Sequence, residues 1–362
     1  MDPSTLIPPA DVLPVAPWIL RFLLDATFVA HILLMNVMFG LTLLGLAGSF
    51  RGAGAGNGAD GAWLAGYIPN ATALTVNLAI PVLLFVQALY GQFFYVSSAL
   101  MGVYWYAVVL AVMAAYGLAY WQKGRLSRSA DQEIPAGRLV WALMAALMIF
   151  VTLAQTNNAL LVIRPQFWAG HFENRTGTLA ALHDPSFLPR WLHFVTASVA
   201  VGGLVLAMAG RKRMKKGEAE GKRLVSAGMA WFGWATLIQI MDGLWFLVSQ
   251  PGPVRLAFLG GDTVATAFLI KGAALAVVTL VFAFTGRVLL SAASLVATVM
   301  AMTAIRDMAR ALALVPFYAM STHEVRPEYS TLAVFLASLV VTMAVVVWAV
   351  RTPGAKTPRE GM

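Results

Sequence analysis

What most constrains this chain is the spacing of its long apolar runs. Nine stretches, about 18–47, 70–97, 101–121, 139–163, 191–209, 224–249, 262–285, 288–305 and 329–350, are each bounded by charge, Gly or Pro. A helix crosses the hydrocarbon layer with about 17–25 apolar residues, and each run is about that long or longer. In lipid the backbone must satisfy its own hydrogen bonds, so runs of this length are helical. The expected fold is therefore all-α: a polytopic membrane bundle of about nine transmembrane helices. It forms a single domain over 1–350, with a short tail at 351–362. Composition agrees. Hydrophobic residues make up 60% and charged residues 11%, where a soluble domain carries about a quarter charged. The second and third runs are separated only by a very short turn near Ser97–Gly102.

Lys and Arg in the connections set the orientation, because cytoplasmic loops retain them. The alternate loops 48–62, 122–138, 210–223 and 286–287, with the C-terminal tail, hold 16 of the 25. The densest run is RKRMKKGEAEGKR, Arg211–Arg223. This places the C-terminus in the cytoplasm and, with nine spans, the N-terminus outside, in a bacterial inner membrane. The net charge of +9 lies in short loops between spans, which argues against a nucleic-acid partner and for the lipid bilayer. The start, MDPSTLIPPADVLPVAP, has no basic region and no small-residue cleavage site, and reads as an extended lead-in rather than a signal peptide. RGAGAGNGADG (51–61) reads as a flexible cytoplasmic linker, without the strand–helix context of a phosphate loop. The Asn174 sequon reads as chance. There is no cysteine, which excludes disulfides, iron–sulfur clusters and covalently attached c-type haem.

Polar residues inside these spans are costly and mark function. The first run, RFLLDATFVAHILLMNVMFGLTLLG, carries Asp25, His31 and Asn36. Of the five histidines, His31 lies deep in the first span and His193 a few residues inside the fifth; His171, His183 and His323 lie at the outer end. Two histidines on different spans are the minimum for a haem-binding bundle, and they serve equally as proton carriers or packing groups. Asp25, Asp242 and Lys271 lie at similar depth, which predicts an ion pair of Lys271 with Asp242 or Asp25; the alternative makes Lys271 a haem ligand or propionate partner. Gln87, Gln92, Gln155, Asn157, Asn158 and Gln239 read as interhelical hydrogen-bonding groups.

The first run resembles the first helix of subunit I of cytochrome bd quinol oxidases, where an R-F pair precedes a haem-ligating His by the interval from Arg21 to His31. DPSFLPRWLHFVTASVAVGG (Asp184–Gly203) resembles the family's N-P…F-V-H segment, with Pro185 and His193 at the family spacing. AQTNNALLVIRPQ (Ala154–Gln166) is similar to its A-N-x-W-M-Q-x-P segment. The resemblance implies nine spans with the N-terminus outside, and haem b held by His193 and His31. Four features depart from it. The third span, MGVYWYAVVLAVMAAYGLAYW, has no acid. The quinol-binding loop is reduced to about 249–262, SQPGPVRLAFLGGD. FLIKG puts Lys271 where the family has a ligating Met. TAIRDMARA (Thr303–Ala311) lacks the family's Glu ligand.

The resulting expectation is a divergent relative without the oxygen-reducing residues. It is a membrane b-type cytochrome subunit with one or two non-covalent haems b, acting as a quinol oxidoreductase. Electrons pass between menaquinone or ubiquinone and an outer-face partner such as a c-type cytochrome. His193 ligates one haem, with Lys271 or Met241 as the sixth ligand, and His31 a deeper one. His171, His183 or His323 completes a site if the outer loops fold back, and Arg21, Arg164, Arg190 and Arg306 neutralise propionates. The competing expectations are a bd-type terminal oxidase subunit, a haem-free transporter using Asp25, Asp242 and Lys271 as a relay, and a haem-free anchor subunit.

Overall fold

The computed structural model describes residues 2–50, 57–128, 135–173 and 175–351. Ten α-helices follow in order: α1 (Pro17–Ser49), α2 (Asn57–Leu100), α3 (Gly102–Arg128), α4 (Pro135–Ile163), α5 (Phe187–Lys215), α6 (Glu220–Val248), the short α7 (Gly252–Leu256), α8 (Thr263–Phe284), α9 (Val288–Leu314) and α10 (Tyr329–Arg351). Among the described residues there is no β-strand, only a single bridge between Leu13 and Val325. Eight helices, α1 to α6, α8 and α9, are long and apolar enough to cross a membrane; the described apolar part of α10 is shorter, Tyr329–Val345. The protein is a multi-pass, all-helical membrane protein. The tail from 352, the Gly-rich stretch 51–56 and Asn174 lie outside the described residues.

The short division between the second and third runs is real: α2 ends at Leu100 and α3 begins at Gly102. The Gly-rich linker is shorter than its composition predicts, because α2 begins at Asn57. Its next turns carry Leu64, Ala65 and Ile68 into a buried cluster with Leu41, Leu44, Trp141 and Met144. Burial of that face outweighs the low helix propensity of the glycines before it. Two tight reversals are set by glycines at positive φ, Gly217 (φ 78) after α5 and Gly286 (φ 69) after α8. In each, the residue after the glycine donates back to a carbonyl of the last turn: Glu218 to Arg213 at 3.1 Å and Arg287 to Phe282 at 3.0 Å. These are Schellman closures, which an L side chain at the glycine would strain.

Close helix approach fixes the middle of the bundle. On α1 and α5, Ser198 donates to the Asn36 amide oxygen at 2.9 Å. One turn on, Gly40 packs against the Ser198 carbonyl and Gly202. A Cβ on Gly40 would be driven into that backbone carbonyl, and one on Gly202 would lie 2.7 Å from the Gly40 carbonyl carbon. Without a hydrophobic drive between helices in lipid, such backbone contact and the hydrogen bond beside it hold the pair. Gly40→Ala is expected to destabilise the protein by about 1–3 kcal/mol, the usual cost of overpacking. Thermal unfolding in detergent measures this. Gly66→Ala serves as the tolerated control, since a Cβ on Gly66 meets nothing within 4 Å.

At the end of the bundle where the chain begins, the lead-in is pinned rather than loose. Leu13 accepts from Arg326 and donates to Glu324, each at 2.9 Å. Helix α2 breaks its regular geometry at Tyr90 (φ −135, ψ 27), which leaves the Leu89 carbonyl for other donors. Tyr318 Oη and His323 Nε2 each lie 3.3 Å from it. The kink is thus satisfied from the connection between α9 and α10.

Candidate functional site

His31 and His193 share one arrangement. His31 lies ~21 Å along α1 from Pro17, at 1.5 Å per residue, and its Nδ1 is 3.0 Å from the Thr75 carbonyl of α2. A carbonyl only accepts, so Nδ1 carries the proton and Nε2 keeps its lone pair. His193 lies ~9 Å into α5, with Nδ1 3.0 Å from Asp242 Oδ2 on α6. Asp242 is buried and its Oδ1 has no partner among the described residues. Neither Nε2 has a hydrogen-bond partner among the described residues. A histidine whose Nδ1–H is fixed by a carbonyl or carboxylate presents Nε2 as a ligand of set orientation.

The other three histidines are differently employed. Both ring nitrogens of His323 face carbonyls, Asp11 at 3.0 Å and Leu89 at 3.3 Å, so it is committed to closing the lead-in against the α2 kink. His183 is exposed and stands edge-on to Phe167 at 4.6 Å. His171 lies in the short 3-10 segment Pro165–Phe172 with Nδ1 buried and unpartnered among the described residues. No three His, Asp or Glu side chains among the described residues gather as a site for a bare metal ion.

Lys271 does not form the ion pair that equal depth predicts. The inward stripe of α8 is Ala265, Gly272, Thr279 and Ala283, and Lys271 lies off it, exposed, with Nζ 6.0 Å from the Phe268 ring. Asp242 takes His193 instead. Met241, one position from Asp242, points outward and is 65% exposed.

Around the two histidines the structure assembles a charged layer at the end of the bundle where the chain begins. Arg21 of α1 pairs with Asp307 of α9. Arg310, one turn further along α9, lies 3.6 Å from the same carboxylate and covers the Tyr90 ring at 4.8 Å. Arg164 pairs with Asp184 at 3.1 Å, both buried, and Asp184 also accepts from Ser186 N and Oγ. Arg190 covers Phe246 at 4.8 Å, and Phe246 faces the His193 ring at 6.2 Å. Arg306 covers Phe28 at 4.0 Å and is within electrostatic reach of His31, Asp25, Arg190 and Arg310. Five guanidinium groups therefore meet four carboxylates, Asp25, Asp184, Asp307 and the Asp242 that holds His193. Four of the arginines bury an N–H that no described residue accepts: Arg164 Nη2, Arg190 Nε, Arg306 Nη1 and Arg310 Nη1. Asp25 Oδ1 is buried and unpartnered too. Buried polar groups are ordinarily bonded, so this many orphaned donors in one layer, with cationic charge in excess, describe a place for an anionic group.

Arg21, Arg164, Arg190, Arg306, Asp25 and Asp242 were all legible as candidates. Asp307, Arg310 and Tyr90 do not stand out in the sequence in the same way, although Asp307 is the carboxylate that gathers the layer. A signal existed: Arg306, Asp307 and Arg310 lie within three turns of the end of α9, at the depth of Arg21 and Asp25 on α1. No family model matches this chain, and no curated protein matches it.

Proposed function

We propose that this chain is a membrane b-type cytochrome subunit that moves electrons between a membrane quinone, menaquinone or ubiquinone, and a redox partner on the outer face such as a c-type cytochrome. The observation that carries the reading is the shared state of His31 and His193: Nδ1–H fixed by a backbone carbonyl or a buried carboxylate, and Nε2 left with a lone pair. Of five histidines, these are the two that the resemblance to subunit I of cytochrome bd oxidases also marks as haem ligands.

The charged layer fits the same group. Its excess of guanidinium charge and its orphaned N–H donors match the paired propionates of a haem. His193 and His31 would hold the iron, and Arg190, Arg306, Arg164 and Arg310 would hold carboxylates. Bound there, haem b supplies reversible one-electron transfer at its iron. The chain's own work is to fix ring orientation: Asp242 holds His193 and strengthens it as a donor, and the Thr75 carbonyl does the same for His31. Lys271 and Met241 face outward and fall out of the ligand set. Helix α3 contains no Asp or Glu, so the reading stops at electron transfer. With α10 as a ninth span and the basic loops in the cytoplasm, the charged layer and His193 lie toward the outer face of a bacterial inner membrane.

The test is optical. The purified chain is expected to show a reduced-minus-oxidised b-type difference spectrum and a positive pyridine haemochrome assay. Protein that is folded, expressed with haem available and still colourless sinks the reading.

A further inference from the structure

A cleft of about 360 Å³ opens at the end of the bundle where the chain begins. It is bounded by the lead-in at Ile7, Pro8 and Ala10, by Gln92 and Phe93 of α2, and by residues 315–319 after α9. Its volume is within the ~300–1,000 Å³ of small-molecule sites. Pro8, Ala10, Val315 and Ala319 are exposed at its edge, while Gln92 and Phe93 are buried. The aromatic lining is Phe93, Phe317 and Tyr318, with the rings of Phe93 and Tyr318 5.7 Å apart. No histidine lines it, which separates the cleft from His31 and His193.

Gln92 decides what the cleft is for. Its residue is 6% exposed, and its amide makes no hydrogen bond to any described residue. Its polar atoms are not among the sealed, unpartnered ones, so the amide opens to the cleft at a wall otherwise built of rings, free to bond whatever enters. An amide both donates and accepts, so it suits a ring oxygen as carbonyl or as hydroxyl. Burial pushes the Tyr318 phenol up, so it stays protonated, donating to the Leu89 carbonyl and offering its own oxygen as an acceptor.

We propose that this cleft seats the ring of a quinone against Phe317 and Tyr318, with Phe93 backing the wall, a ring oxygen on the Gln92 amide and its tail leaving past Val315 into the bilayer. This rests on the electron-transfer reading for its ligand class, but its position departs from the resemblance, which puts the quinol at 249–262. In that segment the polar groups are already engaged. Gln250 donates to the Phe246 carbonyl, Arg255 to the Val248 carbonyl, and Asp262 accepts from Ala265 N. The segment folds as α7 and a wide turn, not as an open site.

Full-length protein in nanodiscs is titrated with decylubiquinone and with 2-methyl-1,4-naphthoquinone while tryptophan fluorescence is followed; Trp168 lies 6.3 Å from the Phe93 ring and reports on the wall. Saturable quenching is expected. Gln92→Leu should weaken it about tenfold, the loss of one hydrogen bond's worth of affinity. Phe317→Trp, which fills the mouth, should do the same, and Arg255→Ala should leave it unchanged. If Gln92→Leu does not fold, Phe317→Trp decides alone. Quenching that is absent, unmoved by both cleft variants, or abolished by Arg255→Ala overturns the assignment. Haem content is read on the same samples. Haem without saturable quenching defeats only the cleft, and cleft-dependent quenching without haem defeats only the cytochrome reading.

Discussion

His193→Ala and His31→Ala are each expected to remove one haem from the purified protein, and the double variant to remove all of it. The loss should be complete at each site, because a neutral imidazole is replaced by a side chain with no donor at all. Asp242→Asn is the informative companion. It leaves His193 in place but exchanges the carboxylate that orients Nδ1–H for a neutral amide. A lost outer partner of a metal-bound histidine costs about 10–100-fold in affinity or activity, so this variant should keep its haem at saturating supply and release it more readily in a transfer assay to apomyoglobin. His323→Ala should leave haem content intact and lower stability instead, since its ring is set between the Asp11 and Leu89 carbonyls. Haemochrome analysis of the five variants and the parent reads haem content, and the transfer assay and thermal unfolding read the rest. Equal haem in His31→Ala, His193→Ala and the parent would show that the two histidines pack helices and nothing more.

The all-helical class and the order of the long helices were readable because lipid permits so few backbone solutions: a long apolar run bounded by charge has nowhere to go but across, and eight of the nine runs are described as helices long enough to do so. The positions of Arg21, Asp25 and His31 on α1 were readable for a related reason, since any polar group inside such a run stands out. What the runs do not encode is rotation about each helix axis. Asp242 and Lys271 lie at similar depth, yet one faces inward to His193 and the other outward, and depth alone paired them wrongly. Helix rotation here follows from glycine contacts such as Gly40 on Ser198 and Gly272 beneath Ile305 and Met302, and these are three-dimensional facts. The α2 kink at Tyr90 has only a weak local signal, Gly91 beside it. Pro81 lies nine residues earlier, and the freed Leu89 carbonyl is taken by Tyr318 and His323, more than two hundred residues away in the chain. Asp307 is hidden in the sequence because it sits between two arginines in TAIRDMARA, which reads as an ordinary charged helix end until Arg21 is brought against it.

Asp307→Asn follows from that contact and carries the second large effect. The side chain of Asp307 is 1% exposed and serves Arg21 through Oδ2 and Arg310 through Oδ1 at once, with the Tyr90 hydroxyl 3.5 Å from Oδ1 as well. The amide keeps the shape and removes the charge. Breaking a buried ion pair from one side costs about 3–5 kcal/mol, because the remaining charge is left desolvated. The Arg21 side chain is 38% exposed and can turn to water, so most of the penalty falls on Arg310, at 9%. The loss should therefore be recovered in part by Asp307→Asn with Arg310→Met, which removes the stranded cation, and less by Asp307→Asn with Arg21→Met. Unfolding of the purified variants in detergent gives the comparison as a double-mutant cycle, in which residues sharing a network depart from additivity by about 0.5–3 kcal/mol. Haem per folded chain should not fall in Asp307→Asn, since the variant adds to the cationic excess facing the propionates. Additive losses with no rescue would mean that Asp307 is not the counter-ion of Arg310, and a loss of haem at unchanged stability would mean that the carboxylate serves the cofactor directly rather than the arginines beside it.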